Sequence, residues 1–190
     1  AVLNKEWGLR TGSSLSHVSL FQVSKYHKTF ILTDSGFIIK PDISMKVDII
    51  NNAVKVMRTL GLKEPKVAIL AAIEKVNSDM IETIDAALLS GMNKRGQIQN
   101  CIVDGPLAFD LAISKESANH KKVKSEVAGE ADILVVPDLA CGNIMAKTII
   151  YWTDCNFAGI IVGAKAPIVL ISRSDNEENK MMSIAFGAAI

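Results

Sequence analysis

The stretch that decides the fold covers residues 131–144 and reads ADILVVPDLACGNI. Its apolar run, residues 133–136, is typical of a strand that is covered on both faces of a sheet. Helical spacing follows at residues 143–152, where one stripe consists of Ile144, Thr148 and Trp152. A buried strand that leads into a helix is the repeating unit of parallel α/β sheets, so this stretch predicts that architecture.

The same order of strand and helix recurs on both sides of this stretch. Upstream, the apolar runs at residues 67–73 and 101–103 each precede a helical pattern. Downstream, residues 159–162 and 168–171 predict two short strands before a last helix. This alternation predicts an α/β fold with a mostly parallel sheet and helices on both faces.

Helices and a hairpin complete the predicted elements. Pro41-Asp42 begins a helix that ends at Gly61, because Asp is a favoured N-cap and Gly a favoured C-cap. A hairpin at residues 16–33 stands apart from the alternation and is expected to form an antiparallel edge on the sheet. Apolar stripes indicate two further helices: Ile81, Ile84 and Leu88 form one face of the first, and Met181, Ile184 and Ala188 mark the second.

The composition limits the class of partner. The 21 Lys and Arg residues nearly cancel the 20 Asp and Glu residues, so neither nucleic acid nor an anionic membrane is favoured. Cys101, Cys141 and Cys155 form no C-x-x-C pair, which predicts reduced thiols in the cytoplasm and no metal site. The longest apolar stretch, residues 157–171, is interrupted by a lysine and a proline, so no membrane-spanning segment is expected.

Polar residues follow three of the predicted strands, at residues 104–106, 137–143 and 172–175. In open α/β sheets, ligands bind beyond the carboxyl ends of the strands. In the second segment, Gly142 allows a ligand to approach the backbone, and Asn143 is expected to cap a helix whose free N–H groups attract phosphate. The alternative is that this segment is an ordinary capped helix start that binds no ligand.

The third segment combines a hydroxyl with a cation. Ser172 is a hydrogen-bond donor, and Arg173 matches phosphate geometry with two parallel hydrogen bonds. Asp175 is placed to hold Arg173 or to act as a base. The alternative is a helix start in which Ser172 is the N-cap and Arg173 and Asp175 form a surface ion pair.

Several segments together resemble one known family. Residues 103–110 read VDGPLAFD, residues 131–138 read ADILVVPD, residues 163–167 read GAKAP and residues 172–175 read SRSD. A G-N-x-x-x-K stretch lies between the second and the third. In this order they resemble the phosphate acetyltransferase/phosphate butyryltransferase family, and the butyryl type most closely. The resemblance covers essentially the whole chain.

The resemblance implies a two-lobe α/β fold, related to that of isocitrate and isopropylmalate dehydrogenases, with the active site between the lobes. Residues 16–158 correspond to the second lobe, residues 1–15 to the tail of the first lobe, and residues 159–190 to the return into the first lobe. The chain is therefore expected to be the C-terminal part of such an enzyme. With the first lobe incomplete, little or no activity is expected from these residues alone.

The family's reaction implies roles for single residues. Members transfer a butyryl or acetyl group reversibly between coenzyme A and inorganic phosphate, need no cofactor besides these substrates, and form homo-oligomers. By resemblance, Ser172 contacts the reacting group, Arg173 binds phosphate and Arg10 is a second phosphate contact. The further residues expected to contact phosphate or coenzyme A are Asp138, Gly142 and Asn143.

The identity of the general base is open. Acetyl-type enzymes carry an Asp seven residues after the serine, whereas Asn179 stands at that position here. Asp175, as in the butyryl-type pattern, is then the first candidate. Glu177 and Glu178 remain alternatives.

Two other functions are compatible with parts of this pattern. A decarboxylating dehydrogenase of the related fold would need a cluster of metal-binding aspartates, which the sequence does not offer. A non-catalytic lobe that serves assembly or regulation would not need the Ser172-Arg173 pair.

Overall fold

One mixed sheet organises the part of the chain that the structure describes. The computed structural model describes residues 4, 8–170, 172 and 176–190. The strands are β1 (Ser16–Val23), β2 (Phe30–Thr33), β3 (Lys66–Leu70), β4 (Ile102–Leu107), β5 (Ile133–Val135) and β6 (Cys155–Val162). The helices are α1 (Ile43–Thr59), α2 (Ile81–Lys94), α3 (Phe109–Ile113), α4 (Lys115–His120), α5 (Leu139–Trp152) and α6 (Glu177–Ala189).

The prediction of a mostly parallel sheet is confirmed. The strand order is β4-β3-β5-β2-β1-β6, and the pairs β4–β3, β3–β5 and β5–β2 are parallel. β1 runs antiparallel to both of its neighbours, β2 and β6. Among the described strands, β1 is therefore the only one that runs against the others. The short link between β1 and β2 explains this, because a tight connection joins antiparallel strands whereas parallel strands need a longer crossover.

The predicted place of the β1–β2 hairpin at the edge of the sheet is wrong. β1 pairs with β6 along its whole length, from Ser16 opposite Val162 to Val23 opposite Cys155. β2 pairs with β5 on its other side. The hairpin thus lies inside the sheet. The carboxyl end of β2 points in the same direction as the carboxyl ends of the other parallel strands.

The boundary predicted between residues 158 and 159 falls inside β6. All eight residues of this strand pair with β1, and α6 packs on β6. The division of the chain into lobes stays a prediction.

Helices cover both faces of the sheet, as predicted. Along the strands, buried side chains alternate between two hydrophobic clusters, so that Val18 belongs to one cluster and Phe21 to the other. The first cluster is completed by buried residues of α1, α2 and α6, such as Ile50, Leu89 and Phe186. The second cluster is completed by residues of α3, α4 and α5. The core is therefore a three-layer arrangement of helices, sheet and helices.

In α2, α5 and α6, the apolar stripes of the sequence are not the sides that face the sheet. Ile81, Ile144, Trp152 and Met181 are all more than 60% exposed. The sides of these helices that do face the sheet carry mostly small residues: Thr83, Ala86, Leu89 and Ser90 in α2, Gly142 and Ala146 in α5, and Ser183 and Phe186 in α6. Small side chains let a helix approach the sheet closely, so the large apolar residues are left on the outer surface.

The strand predicted at residues 168–171 is reduced to a single bridge in the described residues. Ile168 and Ile161 exchange two backbone hydrogen bonds of 2.8 Å, and residue 171 lies outside the described part. No helix in the described residues is both long enough and apolar enough to span a membrane.

A buried acid connects the beginnings of three strands. The Asp132 carboxylate accepts a hydrogen bond of 2.8 Å from the backbone N–H of Lys66 and one of 2.9 Å from the Lys28 ammonium. Burial lowers the pKa of Lys28, but hydrogen bonds to Asp132 and Glu130 outweigh this effect and raise the pKa above its usual value. Asp132 is 5% exposed, so these partners replace the water that the carboxylate loses on folding.

Candidate active site

The helix that follows β5 begins earlier than predicted. α5 starts at Leu139, and Asp138 is its N-cap, accepting a hydrogen bond of 2.9 Å from the Cys141 N–H. The prediction that Asn143 caps this helix is therefore wrong. The Asp138 carboxylate already provides negative charge at this helix end, which disfavours a phosphate at the same place. The predicted substrate contact of Asp138 stays a prediction.

Gly142 lies within the first turns of α5 and allows a close approach between backbone segments. A Cβ atom at this position would lie 2.7 Å from the carbonyl oxygen of Asp34 and 2.9 Å from the Cα of Ser35. Both atoms belong to the turn that follows β2, so the missing side chain lets α5 rest on this turn. The structure therefore explains Gly142 by packing, while its predicted ligand contact remains a prediction.

Replacing Gly142 with alanine is expected to lower the free energy of unfolding by about 1–3 kcal/mol, because the added methyl group must displace backbone atoms. Gly91 in α2 is the matched control, since a Cβ atom there meets nothing within 4 Å. Gly91→Ala is expected to raise stability by up to about 1 kcal/mol through helix propensity. Urea unfolding of both variants measures the difference, and equal stabilisation by both would contradict the packing argument.

A cavity of about 210 Å³ lies between α5 and the β1–β6 pair. Its polar lining residues are His17, Ser19, Ser35, Asn143, Lys147, Ser172 and Ser183. Ser172 and Lys147 are exposed at its mouth, whereas Ser19, Ser35 and Ser183 are buried in its wall. The cavity is therefore open to solvent on the side where Ser172 lies.

Hydroxyl groups hold the imidazole of His17 in the cavity wall. The Oγ atoms of Ser19 and Ser35 are 2.8 Å apart, and each is 3.1 Å from Nδ1 of His17. The ring also lies between two glycines. A Cβ atom on Gly36 would lie 3.1 Å from its Cγ, and one on Gly159 would lie 3.0 Å from its Nε2. The ring is thus held by hydrogen bonds at one nitrogen and by close backbone on both sides.

The turn that carries Ser35 is held by a buried carboxylate. Asp34 is 3% exposed and accepts hydrogen bonds of 2.9, 2.9 and 3.0 Å from the backbone N–H groups of Gly36, Phe37 and Ile38. Three backbone donors satisfy most of the acceptor capacity of one carboxylate. Asp34 therefore fixes the shape of the turn, and with it the position of the Ser35 hydroxyl.

α6 contributes the opposite wall of the cavity. The Ser183 hydroxyl donates a hydrogen bond of 2.8 Å to the Asn179 carbonyl and accepts one of 3.0 Å from the Gly159 N–H. Asn179 lies in the first turn of α6, where its own N–H is bound by the N-cap, Asn176. Glu177 and Glu178 are exposed and do not line the cavity.

The structure brings two of the predicted site residues together. Ser172 and Asn143 both line the cavity, whereas Gly142 and Asp138 do not. Arg10 is exposed and forms an isolated strand bridge with Ala164, also outside the cavity lining. The predicted roles of Arg173 and Asp175 fall on residues outside the described part of the chain.

The sequence reasoning missed the contributions of β1 and β2 to this cavity. Ser35 lies two residues after the end of β2, at the position where ligands bind in parallel sheets. Because the sequence predicts β2 as part of an edge hairpin, the residues after its carboxyl end are absent from the predicted ligand-binding segments. The polar and glycine residues after Thr33, which read DSG, are the signal that could have revealed it. His17 lies at the start of β1, which reaches the same edge of the sheet because it runs antiparallel.

Two other predicted features lie apart from the cavity. Residues 104–106 do not follow β4 but lie within it, and the Asp104 carboxylate accepts a hydrogen bond of 2.9 Å from the Gly105 N–H. Partial desolvation, together with the nearby Asp138 carboxylate, raises the pKa of the Cys141 thiol. A raised pKa lowers the fraction of thiolate, so Cys141 is not an activated nucleophile.

Comparison with known proteins matches this chain to one family. The family described as "Phosphate acetyl/butaryl transferase" matches residues 1–188. A phosphate butyryltransferase of Clostridium acetobutylicum is 51% identical over 190 residues, covering 100% of this chain and 63% of the relative. A phosphate acetyltransferase of Thermotoga maritima is 45% identical over 186 residues, covering 98% of this chain and 63% of the relative.

A solved structure has a closely similar fold. It is a branched-chain phosphotransacylase from Enterococcus faecalis V583, with a TM-score of 0.91 and 37% sequence identity. The similarity covers 98% of this chain and 67% of the other chain. This chain spans about 63% of the length of the curated relatives named above.

Proposed function

Because this chain belongs to the phosphate acetyl/butyryl transferase family, we propose that the protein transfers a short acyl group reversibly between coenzyme A and inorganic phosphate. The observation that carries the proposal is the position of Ser172 at the mouth of a cavity with a hydrogen-bonded wall, in a chain that matches this family from residue 1 to 188. Acyl-CoA and phosphate are the proposed substrates, and no further cofactor is part of the proposal.

In the proposed reaction, the thiolate of coenzyme A attacks the carbonyl carbon of an acyl phosphate, a new C–S bond forms, and the C–O bond to phosphate breaks. Phosphate leaves with the electron pair. The reverse reaction forms acyl phosphate from acyl-CoA and releases the thiolate. A free thiol with a pKa of about 8.5 is only a few per cent ionised at neutral pH, so a base that takes its proton increases the rate.

The proposed role of Ser172 is to donate a hydrogen bond from its hydroxyl to the reacting group. Such a donor accelerates the reaction when it stabilises charge that develops in the transition state. Ser172 is exposed at the cavity mouth, so an entering substrate can reach its hydroxyl. Arg173 as the phosphate ligand and Asp175 as the base complete the proposal, and both rest on the sequence alone.

We propose a butyryl-like rather than an acetyl-like substrate. Asn179 stands where the acetyl-type pattern has an Asp. An amide cannot take up a proton as a carboxylate does, so a base at this position is not available. The identities of 51% to a butyryltransferase and 45% to an acetyltransferase are compatible with this preference.

The full-length protein is expected to release coenzyme A from butyryl-CoA only when phosphate is present. The free thiol is measured with a colorimetric thiol reagent, and acyl phosphate is measured after trapping with hydroxylamine. Sulfate at equal ionic strength is the control for a general salt effect. Thiol release without phosphate, and without acyl phosphate, would indicate a thioesterase and would contradict the proposal.

A further inference from the structure

The cavity beside Ser172 also has an apolar side. Ala146, Ile150 and Phe157 line it, and Leu170 lies at its mouth. Ala146 and Phe157 are buried, whereas Leu170 is more than half exposed. The volume of about 210 Å³ corresponds to roughly seven water molecules of liquid volume. Space of that size, with an apolar wall, suits a short alkyl chain.

The lining residues of α5 begin with the polar Asn143 and end with the apolar Ile150, and the exposed Lys147 lies between them. Asn143, Ala146, Lys147 and Ile150 are three, four and seven positions apart, so they share one face of the helix. Nδ2 of Asn143 lies 3.5 Å from the carbonyl oxygen of Ser35, at the polar end. Ile150 lies about 10 Å further along the helix axis. The cavity is therefore polar beside Asn143, near the carboxyl ends of the parallel strands, and apolar beside Ile150.

The polar atoms in the buried wall already have partners inside the protein. The hydroxyls of Ser19 and Ser35 bind each other at 2.8 Å. The Ser183 hydroxyl binds the Asn179 carbonyl and the Gly159 N–H. Burying a polar group is costly mainly when its hydrogen bonds are lost. An alkyl group beside these hydroxyls would leave their hydrogen bonds intact, so the wall tolerates an apolar ligand.

We infer that this cavity holds the alkyl tail of the acyl group, and that Ile150 and Phe157 set the longest chain that the protein accepts. The inference rests on the proposed function and adds its substrate range. Phe157 is a poor site for a test, since its ring lies 5.0 Å from that of Phe21 in the core. Ile150 is half-buried and can be changed with less effect on folding.

The test compares the chain-length preference of Ile150 variants in the full-length protein. A methylene that gains or loses its place in an apolar site changes kcat/KM by about tenfold or more. Ile150→Ala is expected to raise the ratio of kcat/KM for hexanoyl-CoA to that for butyryl-CoA about tenfold. Ile150→Phe is expected to lower the ratio of kcat/KM for butyryl-CoA to that for acetyl-CoA about tenfold. Ile150→Val changes the first ratio in the same direction by less.

Ile149→Ala is the matched control. Ile149 is a half-buried isoleucine of the same helix that packs on the core but does not line the cavity. Its substitution is expected to leave the chain-length ratios unchanged. Unchanged ratios in active Ile150 variants, or an equal change in KM for every acyl-CoA, would overturn this inference alone. Absence of phosphate-dependent transfer in the unaltered protein would instead overturn the proposed function, and the inference with it.

Discussion

Replacing Ser172 with alanine in the full-length protein is expected to lower kcat about a hundredfold, with KM for both substrates within a few-fold of its original value. Removal of one hydrogen-bond donor that acts on developing charge typically lowers turnover by about 100- to 1000-fold. Ser172 lies exposed at the cavity mouth, where a substrate enters in the proposed reaction. Steady-state rates with butyryl-CoA and phosphate, each varied at saturation of the other, measure the effect.

The control for this substitution is Ser78→Ala, at an exposed serine between β3 and α2 that does not line the cavity. It is expected to leave kcat unchanged. Thermal unfolding of the Ser172 variant separates a loss of turnover from a loss of stability. An unchanged kcat in Ser172→Ala would refute the proposed role, and a larger KM without a change in kcat would indicate ground-state binding only.

Replacing Asp132 with alanine is expected to lower the free energy of unfolding by about 3 kcal/mol. The substitution removes the acceptor of the Lys66 N–H and one of the two acidic partners of the Lys28 ammonium. Breaking a buried pair by removing one partner costs about 3–5 kcal/mol. The lower end applies here because Lys28 is partly solvated, with 26% of its side chain exposed. Chemical denaturation at pH 7 measures the difference.

A double-substitution cycle separates the ion pair from the backbone hydrogen bond. Lys28→Met removes the charge that Asp132 balances, and the double variant removes both. If the two groups stabilise each other, the double variant loses less stability than the sum of the single variants. Asp79→Ala, at an exposed carboxylate, is expected to change stability by less than about 0.5 kcal/mol. A loss below about 1 kcal/mol in Asp132→Ala would contradict the predicted importance of this site.

Elements whose signal lies within a few neighbouring residues are predicted well from the sequence. The helix expected between Asp42 and Gly61 forms as α1, and the Asp42 carboxylate accepts the Met45 N–H at 2.8 Å. Gly61 adopts a φ of +100° just beyond the helix, which favours glycine. Both features depend on local backbone chemistry, so the pattern is sufficient to predict them.

The position of the hairpin and part of the candidate site could not be read from the sequence. β1 pairs with β6, and a side-chain hydrogen bond of this pair joins residues 134 positions apart, Gln22 and Asn156. A pairing over such a distance leaves no local pattern. Because the hairpin is predicted at the edge of the sheet, its two contributions to the site are not predicted. These are Ser35 after the end of β2 and His17 at the start of β1.

By itself, the sequence determined the α/β class, the order of most strands and helices, and the motifs that indicate the family. Only the tertiary structure decided which side of each helix faces the sheet and which side chains share the cavity beside Ser172. Apolar periodicity shows that a helix has one apolar face, but it does not show which element covers that face. In α5 the large residues Ile144 and Trp152 are exposed, while Gly142 and Ala146 face inwards. The reason is that backbone approach requires small side chains there: a single Cβ atom on Gly142 would lie only 2.7 Å from the carbonyl oxygen of Asp34.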